Sequence, residues 1–398
     1  MIRAAADRRP PGEQNEGNGM VELSPVGREE SAFARYRRQP MMLGVFGTNS
    51  SGSAGIHTVP SSFEVSWDQS VTIAKMADDM GFELFMPLSR WRGFGGKSDY
   101  AGETYETLTY MAGIAAVTRR VMTIVTLHLP MVHPTLAAKA IATIDHISNG
   151  RGGINAVMGW YKAEMGMFGL SPHTPEDRYV YGAEWLEIVQ RLWSESEPFD
   201  HDGRYFQLKS CIGNPKPIQA RPPIISAAMS PVGVRFATQK ADFTFASFQG
   251  YDKLREHSRN LRAVAAEVGN PGVGLVCVSL VICRETEAEA KRFHQHLRDN
   301  ADIVAARNLS IQSGVDVDAV PRERQEEFLR DMAMSPGNVT LVGTPEQIAA
   351  QIAELRACGV DALFVGFHDY LEEMPQFGER VMPLLEQMGV RLPVTPAT

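Results

Sequence analysis

Cysteine is scarce. The chain has four in 398 residues, at Cys211, Cys277, Cys283 and Cys358, and no two stand as a Cys-x-x-Cys pair. That leaves no zinc knuckle and no dithiol redox motif. Cys277 and Cys283 share one strand-like run, which holds them roughly 20 Å apart, so they cannot bridge each other. Reduced core cysteines in a cytoplasmic protein are the expectation. Long apolar runs are also missing: nothing approaches the roughly 20 residues that span a bilayer. The charged N-terminus has no apolar stretch of the kind a secretory signal carries. Basic residues are not in excess, since the formal net charge is −8, and this argues against a nucleic-acid footprint. No Gly-x-Ser-x-Gly elbow and no His-Glu-x-x-His pair occurs, which removes the commonest hydrolase signals. No strand–Gly-x-Gly-x-x-Gly–helix unit opens the fold, which counts against a nicotinamide-binding Rossmann domain.

What is present is a regular alternation. Residues 1–39 carry Arg, Glu, Gly and Pro without periodicity and read as a disordered leader, with Met20, Met41 and Met42 as further candidate starts of translation. From there, strand-like runs fall at 41–47, 83–88, 121–127, 152–158, 223–229, 242–248, 273–283 and 361–367. Between them lie helical patterns at 67–80, 104–118, 135–148, 177–193, 231–240, 251–268, 286–299 and 345–357, with a last helix near 377–388. Gly81 and Asn149-Gly150 stand where helix-ending residues are expected. Residues 199–208 read as a small hairpin, and about 300–338 as a polar, mostly helical insertion. Eight near-continuous apolar strands are what a parallel sheet buried on both faces demands. Residues 40–398 are therefore expected to form a single α/β domain, a (β/α)8 TIM barrel, with an open doubly wound sheet as the alternative.

In such a barrel the chemistry sits at the C-terminal ends of the strands. Those positions hold Thr126 and His128, then Asn155 to Trp160, Ser226, Met229, Ser230, Phe245, Ser247, Phe248, and finally His368 and Asp369. Asn155 is the odd one, a carboxamide inside the apolar run GGINAVMGW, and its burial costs a few kcal/mol unless something bonds to it. Ser230-Pro231 reads as an N-cap followed by the first helical residue, and such a helix start suits a phosphate as well as it suits a plain cap. Arg178 and Tyr179, at another helix start, offer a charge and a hydroxyl to the same group. His128 and His133 bracket the loop HLPMVH without an acidic partner, so substrate contact or packing is expected there and no metal. The RGFGGK glycines lack Walker spacing and read as a tight turn. The residues alone suggest a barrel holding a phosphorylated, largely apolar cofactor, with Asn155 as polar contact and Trp160 and Phe245 as apolar walls.

Five stretches carry a resemblance: RWRGFGGKSDY (90–100), AGIAAVTRRV (112–121), IATIDHISNGRGGINAVMGWYKAEM (141–165), DRYVYGAEWLEIVQRLW (177–193) and KADFTFASF (240–248). From Met41 to about Leu385 the chain resembles the bacterial luciferase-like flavin monooxygenases, and most of all the branch with the pyrimidine oxygenase and the dimethylsulfone monooxygenase. The resemblance implies a TIM barrel that uses reduced FMN and O2, fed by a separate NAD(P)H-dependent flavin reductase, to oxygenate a small organic substrate. It implies a homodimer or larger assembly. It assigns Ser89, Arg90, Asn155 and Glu164 to the FMN site, and Arg178, Tyr179 and Ser230 to the phosphate end. It places Thr126, Asn155, Trp160 and Phe245 around the oxygen-reactive face, where the pyrimidine oxygenase is held to form a flavin-N5-oxide. An amide and a hydroxyl within apolar walls suit oxygen activation, which needs hydrogen-bond donors and exclusion of water. Met158, His128 and His133 depart from that branch and are expected to touch substrate, which argues against uracil. A deazaflavin-dependent oxidoreductase on the same barrel, or a flavin-binding protein without turnover, are the alternatives.

Overall fold

The computed structural model describes residues 32–394 apart from 53, 175, 228, 249 and 335–338. The stretch 1–31 of the expected leader lies outside the described residues. Its last part differs from the expectation: Ala32–Tyr36 form a short helix, α1. Ala32 and Tyr36 are buried, Phe33 meets Phe243 edge-on at 5.7 Å, and the Tyr36 hydroxyl donates to the Arg120 carbonyl. Aromatic residues with an apolar surface to cover become ordered even where the flanking composition is polar.

Then follow β1 (Met42–Phe46), α2 (Trp67–Met80), β2 (Leu84–Met86), α3 (Thr107–Val117), β3 (Met122–His128), α4 (Pro134–Ile147), β4 (Gly152–Val157), α5 (Lys162–Met167) and α6 (Asp177–Ser194). A hairpin of β5 (Phe199–Asp202) and β6 (Gln207–Cys211) leads to β7 (Ile224–Ala227), α7 (Pro231–Lys240), β8 (Phe243–Phe245), α8 (Tyr251–Glu267) and β9 (Gly274–Cys283). The chain continues through α9 (Glu287–Asp299), α10 (Ile303–Gln312), α11 (Gln325–Met334), β10 (Leu341–Gly343), α12 (Pro345–Ala357), β11 (Ala362–Gly366), α13 (Tyr370–Arg380) and α14 (Met382–Gln387).

The eight expected strands are the eight of a closed parallel barrel, in the order β1-β2-β3-β4-β7-β8-β9-β11 with β11 pairing back to β1. The chain is a TIM barrel, and the open-sheet alternative is excluded by that closure. Two elements differ from expectation. β10 pairs with the far end of β9, Leu341 opposite Val281, a three-residue strand too short for periodicity to show. The last helix starts earlier, at Tyr370, and breaks at Val381 before Pro383, because proline removes the N–H that would carry it on.

Strand alternation sorts the side chains. Met42, Leu84, Ile124, Ile225, Phe243 and Phe364 fill the barrel axis, and α1 packs onto the same cluster together with Leu392 and Val394. The N-terminal mouth is thereby closed. The opposite mouth is covered by α10 and α11, tied to the loop after β1 by Ile56 N–H to the Ala333 carbonyl at 2.7 Å and Asp302 N–H to the Ile56 carbonyl at 3.0 Å. The stretch IDHISNGRGG is a buried corner. Arg151 donates to the carbonyls of Ala115, Thr118, Val121 and Ser148, while Asp145 accepts from the backbone N–H groups of Gly152 and Gln219. Asn149 takes φ 56° and Gly150 φ 85° at the turn between α4 and β4, the left-handed pair that this helix end requires. Among the described residues no helix is long and apolar enough to cross a membrane.

Candidate active site

A cavity of about 980 Å³ opens at the C-terminal ends of the strands. Eight residues picked out from sequence border it: Arg90, Trp160, Arg178, Tyr179, Met229, Ser230, Phe245 and Ser247. Its floor is made by the strand ends at Phe46, Ala227, Phe245, Val278 and Gly366.

One flank is the start of α7. Ser230 is the N-cap, its Oγ accepting from Gly233 N–H at 3.2 Å, with Pro231 as the first helical residue. The Gly233 and Val234 N–H groups are used within the cap, and the Val232 N–H has no acceptor among the described residues. The Tyr179 hydroxyl lies 3.5 Å from Ser230 Oγ. Arg178 brings a guanidinium whose buried Nε has no partner. A cation, two hydroxyls and a helix start facing one space are groups that could hold an anion.

Asn155 occupies the layer above the barrel's axial plug. Ile154 faces the helices, so Asn155 faces the axis, and Thr126 on the neighbouring strand does the same two residues after Ile124. The Thr126 hydroxyl gives its proton to the Pro87 carbonyl at 2.7 Å, and so can only accept from Asn155 Nδ2, 3.3 Å away. This fixes the amide's orientation and leaves Asn155 Oδ1 buried with no partner. A buried acceptor in that state costs about 1–3 kcal/mol until a donor meets it.

A third group forms the wall. Arg90 lies over the Trp160 ring at 4.6 Å and the Phe94 ring at 5.4 Å, and Trp160 stacks on Phe94 at 11°. Glu164, on the first turn of α5, stands 3.6 Å from Arg90 and accepts from Trp91 N–H at 2.7 Å. Burial pushes its carboxyl up, and Arg90 with the Trp91 and Arg92 N–H groups pulls it back. Ser89 is buried, and its carbonyl accepts from Arg90. The glycine turn between Arg92 and Lys97 is structural: Gly95 and Gly96 have positive φ, and a side chain at Gly96 would stand 2.4 Å from the Asp302 carboxylate.

The three residues expected to touch substrate are not among those that border the cavity. Met158 is buried between α6 and α7, against Gly182 and Phe236. His133 caps α4, its Nδ1 accepting from Thr135 N–H, with its ring edge-on to Phe206. His128 is buried, and its pKa is lowered to about 3, first by burial and then by the Arg90 charge. It is neutral at physiological pH. His368 pairs with His57 at 3.4 Å, and Asp369 caps α13.

Sequence reasoning missed Tyr100, Tyr370 and the cover residues Leu309, Val315 and Met332, all of which border the cavity. Tyr100 stood inside a stretch already singled out. The cover residues come from a segment without motif or period and carry no comparable signal.

With this geometry in hand, comparison with known proteins is informative. The model of the luciferase-like monooxygenase family matches residues 41–362. The pyrimidine monooxygenase RutA of Acinetobacter baylyi is 33% identical over 348 residues, covering 83% of this chain and 92% of that protein. Its counterpart in a Bradyrhizobium species is 31% identical over 358 residues, 88% and 99% of the two chains. Among solved structures, the riboflavin lyase RcaE, with modified FMN and riboflavin, has a TM-score of 0.80 at 21% identity, covering 90% of this chain and 94% of its own. DmoA from Hyphomicrobium sulfonivorans has 0.77 at 17% identity, covering 88% of each chain. At such identities the structural likeness speaks for the fold.

Proposed function

This chain belongs to the luciferase-like monooxygenase family, and from that premise we propose that it is the oxygenase of a two-component system, taking reduced FMN from a separate NAD(P)H-dependent flavin reductase. The flavin dependence of the family is the premise; FMN as the flavin, and the roles below, are our reading.

The residues present fit that cofactor. The cavity lies within the size range of a cofactor pocket, roughly 300–1,000 Å³. Arg178, Tyr179, Ser230 and the Val232 N–H would hold the phosphate. Asn155 Oδ1, an acceptor in need of a donor, would take a ring N–H of the isoalloxazine, and Arg90 with Glu164 would hold the flank. Bound there, reduced FMN supplies the electrons that split O2, so that one oxygen atom enters the substrate and the other leaves as water. Thr126 keeps Asn155 oriented, and Trp160 and Phe245 keep water from the reacting face, which strengthens every polar interaction there.

The observation that carries this reading is the cavity bordered by Arg178, Tyr179 and Ser230, supported by the partnerless Asn155 Oδ1 on the axial face of β4, although Asn155 is not itself among the residues that border the cavity. The test is FMN binding, read by quenching of flavin fluorescence. The parent protein is expected to bind at micromolar concentration, and Asn155→Ala and Arg178→Ala each to bind about tenfold more weakly, the loss of one charged or buried hydrogen bond. Absence of micromolar binding by the parent would overturn the assignment. Oxygen uptake with a reductase and NAD(P)H then separates an oxygenase from a protein that only binds flavin.

A further inference from the structure

Opposite the anion flank, the cavity has a second half built by the loops after β1 and β2, the end of β9 and the cover helices. Its walls are Ala54, Phe94, Leu280, Leu309, Val315 and Met332. Most of the polar groups that border this half are already bonded, although Ser51 keeps its hydroxyl proton and Arg90 Nε has no partner among the described residues. Ser50 Oγ is bonded to Thr104 Oγ1 at 2.8 Å, Ser51 Oγ accepts from Glu103 N–H at 3.1 Å, and the Tyr370 hydroxyl donates to the Phe46 carbonyl at 2.6 Å. The one nearby charge, Arg90, is balanced by Glu164 and covered on one face by Trp160. Ser313 stands exposed at the rim.

Tyr100 is the phenol of this wall. Its ring stacks on Phe94, at 6.2 Å and 25°. Its hydroxyl makes no hydrogen bond among the described residues, and lies within electrostatic reach of Arg90 and of the Tyr370 hydroxyl, both cavity residues. Burial pushes the Tyr100 phenol above its ordinary pKa, so it stays protonated and can donate.

We propose that this half of the cavity binds a neutral, mostly apolar substrate with one hydrogen-bond-accepting oxygen, which Tyr100 holds. A carboxylate or sulfonate entering here would give up its hydration for apolar walls, a cost that Arg90, already facing Glu164 at 3.6 Å, offsets only in part. A pyrimidine dione would leave several donors and acceptors facing Leu309, Val315 and Met332. A ketone, ester or ether presents one acceptor and meets one donor. The substrate class rests on the proposed monooxygenase reading only in naming the ligand a substrate; the binding preference belongs to the cavity itself.

Saturation-transfer NMR titrations of the FMN-loaded protein test it with four probes: acetophenone, benzoate of nearly the same shape but charged, ethylbenzene without the oxygen, and uracil. Acetophenone should bind at least tenfold more tightly than benzoate or uracil. Tyr100→Phe should weaken acetophenone about fivefold, the worth of one hydrogen bond, and leave ethylbenzene unchanged; a thermal melt checks that the variant is folded. Benzoate or uracil binding as tightly as acetophenone overturns the proposal, as does a variant that loses acetophenone and ethylbenzene alike. Flavin absorbance reports FMN loading beforehand. If FMN fails to bind, the cofactor reading fails by itself, and the same probes on the unloaded protein still decide the preference.

Discussion

His57 and His128 are both buried, and burial holds both pKa values low, at about 4 for His57 and about 3 for His128. His368 and Arg90 respectively add to the effect. A free histidine titrates near pH 6.5, so as the pH falls the unfolded chain takes up protons that the folded protein refuses. Stability is therefore full above about pH 6.5 and declines as the pH drops toward 4, by up to about 1.4 kcal/mol per pH unit for each residue. Urea denaturation at pH 7 and pH 5 should show the fall, and His57→Gln should make it shallower. An unchanged slope in that variant would mean that His57 does not stay neutral in the fold. At the same scale, the Asn155–Thr126–Pro87 chain explains why a carboxamide is tolerated in an apolar strand. Half of it is satisfied by the barrel, and the other half is held for a ligand.

Among the elements, α7 separates two uses of one residue. Ser230 caps the helix and also faces the anion site. Ser230→Ala removes the cap and should cost about 1 kcal/mol of stability. Ser230→Asp keeps a capping oxygen and adds a negative charge, so its melting temperature should hold while FMN binding falls more than tenfold. Riboflavin, which lacks the phosphate, should bind Ser230→Asp as it binds the parent. Equal losses for both ligands would place Ser230 away from the phosphate. The glycine turn after Arg92 works through another element in the same way. Ser98 gives its N–H and its hydroxyl to Asp302, the N-cap of α10, at 2.7 and 2.9 Å, and Asn308 Nδ2 donates to the Phe94 carbonyl at 2.7 Å. The loop that carries Arg90 and Phe94 is thus fastened to the cover.

For the molecule as a whole, that fastening and the plug at the other mouth close the two ends of the barrel. Asp302→Ala strips the partner from Ser98 and the cap from α10, and should cost about 1.5–3 kcal/mol. Its second effect should be faster proteolysis between residues 313 and 338, because α10 and α11 are held to the barrel mouth by few contacts of this kind. Removing residues 1–40 takes away Tyr36 and Phe33 from the N-terminal mouth and should lower stability by about 3 kcal/mol or more, on the scale of a lost buried aromatic. A truncated chain that melts with the parent would show that the plug adds nothing.

The strands and helices of the barrel were determined locally. Each strand of the barrel lies in a short, mostly apolar run, and Ser230-Pro231, Gly81 and Asn149-Gly150 mark helix boundaries by backbone preferences that need no partner. That Arg178, Tyr179 and Ser230 would meet at one cavity was legible for the same reason, since all three sit at helix starts that sequence alone reveals. Other features depended on which surfaces meet. Polar composition made residues 32–39 read as leader, but Phe33 and Tyr36 had the open end of the barrel to cover. Met158, His128 and His133 drew attention as departures in a family pattern, yet packing against Gly182, the charge of Arg90 and a helix cap decided their roles. Tyr100, Leu309, Val315 and Met332 lie far apart in the chain with no period linking them. Only closure of the barrel and seating of α10 and α11 on its mouth turned them into the wall of one pocket, because burial is a property of the assembled surfaces and not of any one segment.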